Sequence, residues 1–130
     1  MIVPMSMLLD LTPEVLAEYR ATAQRRSAEA ERKKAARRER AWDIARQAAA
    51  YLKDTFGATE VLVFGSLAHG HWYSLTSDID LAAWGIPSED YFLAVARLQD
   101  ISPEYAIDLV RLENCSAESR QRILEEGKVI

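Results

Sequence analysis

The spacing of apolar residues changes character twice along this chain. Thr12-Pro13-Glu14 is a helix start: threonine can cap, proline suits the first helical position, and glutamate suits the positive end of the helix dipole. No proline or glycine then occurs before Gly57, and the residues between are mostly Ala, Arg, Glu, Lys and Gln, strong helix formers. The pattern predicts one helix, or two nearly continuous ones, over about 12–55. At 1.5 Å per residue this would be roughly 65 Å long, more than the width of a 130-residue globule, so part must project or fold back. Trp42, Ala45, Ala49, Leu52 and Phe56 recur at alternating steps of three and four, one apolar stripe that should pack on a core. Residues 24–40 have alanine as their only apolar type, so no core can hold them strongly.

After Gly57 the pattern shortens. Glu60-Val61-Leu62-Val63-Phe64, ending at Gly65, reads as a buried strand. A polar, turn-rich stretch runs to Ser77, and then Ile79, Leu81 and Ala83 alternate with Asp78, Asp80 and Ala82 as a second strand. Ser88 can cap a helix over about 88–99, with Phe92, Val95, Ala96 and Gln99 spaced for one face. Tyr105 to Leu112 reads as a third strand, and Ser116 can cap a last helix that runs to about Glu126 and stops at Gly127.

Charge sharpens this division. The net charge of −4 conceals +6 over residues 20–46 and −7 over residues 47–130. The basic segment is either a solvated helix laced with Glu/Arg pairs or a docking arm for an acidic partner or nucleic acid. No aromatic residue interleaves the cations of residues 24–40, which weakens the nucleic-acid version. Apolar residues at 49% and charged residues at 28% are an ordinary globular balance, which argues against disorder and fibrous repeats. A single cysteine, Cys115, excludes an intrachain disulfide. The N-terminus reads poorly as a signal peptide and no apolar run approaches a membrane span, so the expected location is the cytoplasm.

Three features carry candidate chemistry. Gly65-Ser66 follows a buried strand, where glycine lets backbone N–H groups approach an anion and the serine adds a hydroxyl. Asp78 and Asp80 are alternate residues of one strand and project together, while Ile79 and Leu81 face the other way. Two like charges so placed repel, and partial burial would raise at least one pKa. Mg²⁺, which takes oxygen ligands, would relieve this. Asp108 is a lone acid in Ala-Ile-Asp-Leu-Val, costly unless it finds a partner. If its strand lies beside the 78–83 strand, it joins the pair as a third carboxylate, and three such groups can hold two divalent ions. The plain alternatives are an ordinary turn at Gly65 and solvent-facing acids at strand edges.

Gly65-Ser66-Leu67-Ala68-His69-Gly70, six residues, then Ser77-Asp78-Ile79-Asp80-Leu81-Ala82 resembles the signature of the nucleotidyltransferase superfamily related to DNA polymerase β. By length the chain is most similar to the minimal nucleotidyltransferase (MNT) branch, over roughly residues 42–130, with residues 1–41 as an N-terminal helical extension; Ile107-Asp108-Leu109-Val110-Arg111-Leu112 and the ending Arg122-Ile123-Leu124-Glu125-Glu126-Gly127 are also similar to that branch. The resemblance implies an α+β fold, a small mixed β-sheet flanked by helices. It implies transfer of a nucleoside monophosphate from a nucleoside triphosphate to an acceptor hydroxyl with Mg²⁺, as two ions. Gly65, Ser66 and Ser77 would hold the triphosphate, Asp78 and Asp80 both metals, and Asp108 one metal while assisting acceptor deprotonation. Many members carry arginine in the short helix after Gly-Ser, where this chain has Leu67 and His69, which puts the phosphate contacts in question. His69 and His71 read as surface or hydrogen-bonding residues rather than metal ligands, and Cys115 receives no chemistry.

Larger relatives append a helical acceptor-binding domain, and only about 18 residues follow Leu112, so the acceptor is expected on a partner or on a second subunit. MNT proteins of this size are typically antitoxins paired with a helical HEPN ribonuclease toxin, and the resemblance then implies transfer of AMP from ATP to a toxin tyrosine. Two alternatives stand beside this. The chain could neutralise a toxin by occlusion, without catalysis, or it could modify a small molecule or an RNA end. The acidic body argues against unaided RNA binding.

Overall fold

The computed structural model describes residues 12–70 and 78–130, so Ser77 and His71 lie outside the described residues. The chain divides into two compact units, one ending at Ala36 and the other spanning Arg37–Ile130. Helix α1 (Pro13–Phe56) contributes residues to both. It begins as its sequence predicts: the Val15 N–H donates to Thr12 Oγ1 at 3.2 Å and Pro13 takes the first helical position. In the first unit, none of residues 12–36 is buried, and Leu16 and Tyr19 are among the exposed large apolar side chains.

In the second unit, α1 buries Ala41, Ile44, Ala45, Ala48, Ala49, Leu52 and Phe56. This stripe is broader than the expected one, and Trp42 sits half-buried at its margin, with the Lys128 ammonium 5.6 Å from its ring centre. Strand β1 (Glu60–Phe64) leads directly into the short helix α2 (Gly65–His69). Strand β2 (Ile79–Trp84) is followed by a 3₁₀ turn (Ser88–Asp90) and helix α3 (Tyr91–Gln99). Strand β3 (Ile107–Arg111) leads through a second 3₁₀ turn to helix α4 (Ala117–Glu126) and a short strand β4 (Lys128–Val129).

The four strands form one mixed sheet in the order β3-β2-β1-β4. β1 is antiparallel to β2 and to β4, and β2 is parallel to β3. A parallel pair needs a long crossover, and α3 provides it. Alternation sorts the side chains of the sheet. Val61, Val63, Ile79, Leu81, Ala83, Ile107 and Leu109 join α1 and α3 in the main core, and Leu62 and Ala82 join Leu112 and Ile123 of α4 in a smaller cluster on the other face. The protein is therefore an α+β structure with helices on both faces of a small sheet, as the resemblance implied.

Two local expectations are corrected. Ser88 does not cap α3: it opens the 3₁₀ turn, no side chain caps either element, and the helix proper begins at Tyr91. The buried face of α3 is Ala94 and Leu98, whereas Phe92 is 82% exposed and Ala96 and Gln99 face solvent. Phe92, Val95 and Ala96 satisfy helical spacing as well as Ala94 and Leu98 do, and only the sheet decides which side is covered. Gln99 has a different task. Its side-chain amide donates to Ile107 O at 2.7 Å and accepts from the Ile107 N–H at 3.4 Å, while Tyr91 Oη donates to Leu109 O at 2.7 Å. Strand β3 lies at the sheet edge, and these side chains occupy backbone groups that would otherwise offer a pairing template.

Candidate active site

The candidate carboxylates of β2 and β3 are placed by strand register. Phe64 is opposite Asp80 in the β1–β2 pair, and Asp80 is opposite Asp108 in the β2–β3 pair. With strands about 4.8 Å apart, Phe64, Asp80 and Asp108 form a row across the sheet. Their neighbours Ile79, Leu81, Ile107 and Leu109 are buried in the main core, so the two acids face the opposite side, the side of α4. Asp78 immediately precedes β2 and is exposed.

The three groups interact. The Asp80 and Asp108 carboxyls are near enough to share a hydrogen bond, and so are those of Asp108 and Asp78; Asp78 acts on Asp80 through its charge. Burial, and then the charges of Asp108 and Asp78, push the Asp80 carboxyl up from 3.8 to about 6. Asp108 lies more open, yet its pKa is also raised, by partial loss of water around its carboxyl and then by the Asp78 charge. Like-charge crowding and desolvation disfavour the ionised forms, as the alternation of Asp78 and Asp80 suggested.

Gly65 belongs to the same construction. Its φ of 71° lies in the left-handed region, and a Cβ there would overlap Oδ2 of Asp80. Only glycine lets the β1–α2 backbone pass so close to the carboxylate. Ser66 follows it, half-buried. Leu67 is buried in the core, and exposed His69 has Nε2 3.3 Å from Glu126 Oε2, a hydrogen-bonding role as its sequence context indicated. Helix α2 therefore carries neither lysine nor arginine toward the site. Cys115 has a structural contact, its Sγ donating to Arg111 O at 3.4 Å.

The donor set suits a hard cation. It consists of carboxylate oxygens whose protonation is favoured by burial and then by mutual repulsion, which a divalent ion would relieve, and it lacks the nitrogen and sulfur donors that zinc prefers. Among the described residues, no group of three acidic, histidine or cysteine side chains is placed so that it alone could hold a metal ion. That is compatible with Mg²⁺, which keeps waters and is completed by substrate phosphates rather than enclosed by protein.

A cavity of about 320 Å³ adjoins this row, between Phe64 and Gly65 on one side and α4 on the other. Ser119, Arg122, Ile123 and Glu126 of α4 line it. The sequence reading noted Arg122, Ile123 and Glu126 only as part of an ending similar to the MNT branch and gave none of the four a site role, although their i, i+3, i+4, i+7 spacing marks one helix face. A second cavity, of about 360 Å³, is lined by Ser88, Tyr91, Phe92 and Arg111 among others, toward the end of β3 away from Asp108.

The family described as Polymerase beta, Nucleotidyltransferase matches residues 46–130. The chain belongs to that family. The nucleotidyltransferase fold is also found in solved neighbours. A crystal structure of a toxin–antitoxin with AMP-PNP matches with a TM-score of 0.53 at 24% identity, covering 62% of this chain and 66% of that one. A mutant of the toxin–antitoxin MntA-HpeT matches with a TM-score of 0.56 at 22% identity, covering 65% of this chain and 69% of that one. At these identities the likeness establishes the fold. A search of curated proteins returned no match. Among the described residues, no helix of this nucleotidyltransferase is long and apolar enough to cross a membrane.

Proposed function

We propose that this nucleotidyltransferase moves AMP from ATP to a hydroxyl, a tyrosine, of a HEPN-type toxin and thereby acts as its antitoxin. The observation that carries the reading is the Asp80–Asp108 register pair, with Asp78 in reach and the Gly65 backbone pressed against Asp80. Solved neighbours that are toxin–antitoxins, one of them with an ATP analogue, support the choice of partner and nucleotide. Residues 42–130 serve as the catalytic domain and 1–41 as a helical extension. A cytoplasmic location accords with ATP as substrate.

In this reading Gly65, Ser66 and Ser77 hold the phosphate chain, and Asp78, Asp80 and Asp108 would hold Mg²⁺. The bound ion supplies charge neutralisation for phosphate oxygens. The chain's own contribution is orientation and proton transfer. The acceptor oxygen forms a bond to the α-phosphorus, the bond from that phosphorus to its bridging oxygen breaks, and pyrophosphate leaves. Asp108, open to solvent and with a raised pKa, takes the hydroxyl proton.

Incubation with the partner toxin, Mg²⁺ and ATP labelled at either the α or the γ phosphate tests this. Label from the α position is expected on the toxin and label from the γ position is not. Asp78→Asn and Asp80→Asn should each reduce transfer by orders of magnitude. Undiminished transfer by these variants, or transfer of γ label, would refute the proposal. A second reading, neutralisation by occlusion, is favoured by one observation: residues 12–36 bury no side chain and so leave their surface open to a partner. A double Asp78/Asp80 substitution that still protects cells, while deletion of residues 12–40 does not, would select it.

A further inference from the structure

Helix α2 begins at the glycine that touches Asp80, yet its five residues, Gly65–His69, contain no permanent cation. A triphosphate brought to Asp78, Asp80 and Asp108 would therefore meet three acids and a histidine already facing Glu126. An ion held by those acids would offset only part of the triphosphate charge, and the cavity beside Gly65 offers a protein cation for the rest. Phe64 lines that cavity and is the register partner of Asp80, so the cavity opens next to the carboxylate row on the same face of the sheet. Its other wall is α4, and Arg122 is the one arginine or lysine among the described lining residues. The Arg122 guanidinium contacts Glu118 at 3.8 Å, but both side chains are largely exposed, and an exposed i,i+4 pair of this kind is weak enough to yield to a stronger anion. Ser119, one turn earlier on the same face, adds a hydroxyl. The cavity volume lies within the range of small-molecule sites.

We propose that the α4 face forms the second wall of the nucleotide cleft, with Arg122 binding the β- and γ-phosphates and Ser119 assisting. Arg122 is in this role a substrate-binding residue that acts on the leaving pyrophosphate and so separates triphosphate from monophosphate. Arginine suits the task because its planar fork offers two parallel N–H bonds to two phosphate oxygens, a fixed geometry that lysine's point charge lacks. The inference rests on the nucleotidyltransferase reading of the carboxylate site and adds a residue on a different element.

Calorimetric binding of ATP, ADP and AMP to the full chain in Mg²⁺ tests it without any acceptor. Wild type is expected to prefer ATP to AMP. Arg122→Ala should weaken ATP about ten- to a hundredfold and change AMP binding less than threefold, and Arg122→Lys should recover only part of the loss. Glu118→Ala, which frees Arg122, should leave ATP binding equal or tighter. Thermal melts of each variant verify that the fold is intact; Arg122 is exposed, and a melting point near wild type is expected. If wild type binds ATP and Arg122→Ala binds it equally well, Arg122 has no such role. If Arg122→Ala weakens AMP as much as ATP, Arg122 does not act on the terminal phosphates. If wild type binds no nucleotide in Mg²⁺, the underlying reading of the carboxylate site fails, and this inference with it.

Discussion

The crowding at Asp80 makes a prediction about stability that is independent of any partner. Asp80→Asn removes the one carboxylate whose pKa is carried from 3.8 to about 6, and the new amide can still donate to Asp108. The displacement corresponds to roughly 3 kcal/mol at about 1.36 kcal/mol per pH unit. Solvent reaches this half-buried group, so screening reduces the usable amount to about 1–1.5 kcal/mol. The sign follows from linkage. The folded chain binds this proton more tightly than the unfolded chain, so protonation favours folding; the stabilisation is fully present below about pH 4 and is lost as pH rises through about 6. Wild type in EDTA should therefore lose about 1–1.5 kcal/mol between pH 4 and pH 7.5 from this group. At pH 7.5 Asp80→Asn should be more stable than wild type by that amount, or about 4–8 °C in melting temperature for a unit of this size. Urea unfolding at four pH values, with EDTA throughout, measures it. Asp108, also raised, leaves a smaller residual slope in the variant. Equal slopes in the two proteins, or a variant less stable than wild type at pH 7.5, would show that burial and the neighbouring carboxylates do not raise the Asp80 carboxyl as described.

Other consequences follow from single contacts. Gly65→Ala forces a Cβ into the Asp80 carboxylate in left-handed backbone; it should cost about 1–2 kcal/mol in urea unfolding and abolish transfer of AMP. Leu98→Ala, in the covered face of α3, should cost about 2–5 kcal/mol, while Phe92→Ala on its open face should stay within about 0.5 kcal/mol; the reverse order in thermal melts would restore the face expected from spacing. Gln99→Ala leaves the Ile107 N–H and C=O without their side-chain partner at the edge strand; a loss of about 1–2 kcal/mol and increased light scattering on concentration are expected. Ser116→Ala removes the oxygen that accepts from the Ser119 N–H at 3.2 Å and should lower stability by about 1 kcal/mol.

Local chemistry alone determined much of this protein. Thr12 and Pro13 start α1 and Ser116 starts α4, because capping depends on side chains within three residues of the helix end. The run Glu60–Phe64 is a strand and Gly65 ends it, because β-branched residues and a left-handed glycine state their preferences without help. The alternation of Asp78 and Asp80 against Ile79 already set which residues share a face. Tertiary structure decided the rest. Sequence could say only that Asp108 would join the pair if its strand were adjacent; the parallel register of β2 and β3 is a property of two segments separated by α3, and no local pattern contains it. The covered side of α3 was undetermined for the same reason, since both faces hold apolar residues at helical spacing and the sheet chooses between them. Strand β4, two residues long, is too short to declare itself, and it exists because β1 offers an open edge where Gly127 turns the chain. Arg122 had no site role in the sequence, because it comes to share a cavity with Phe64 and Gly65 only through the packing of α4 on the sheet.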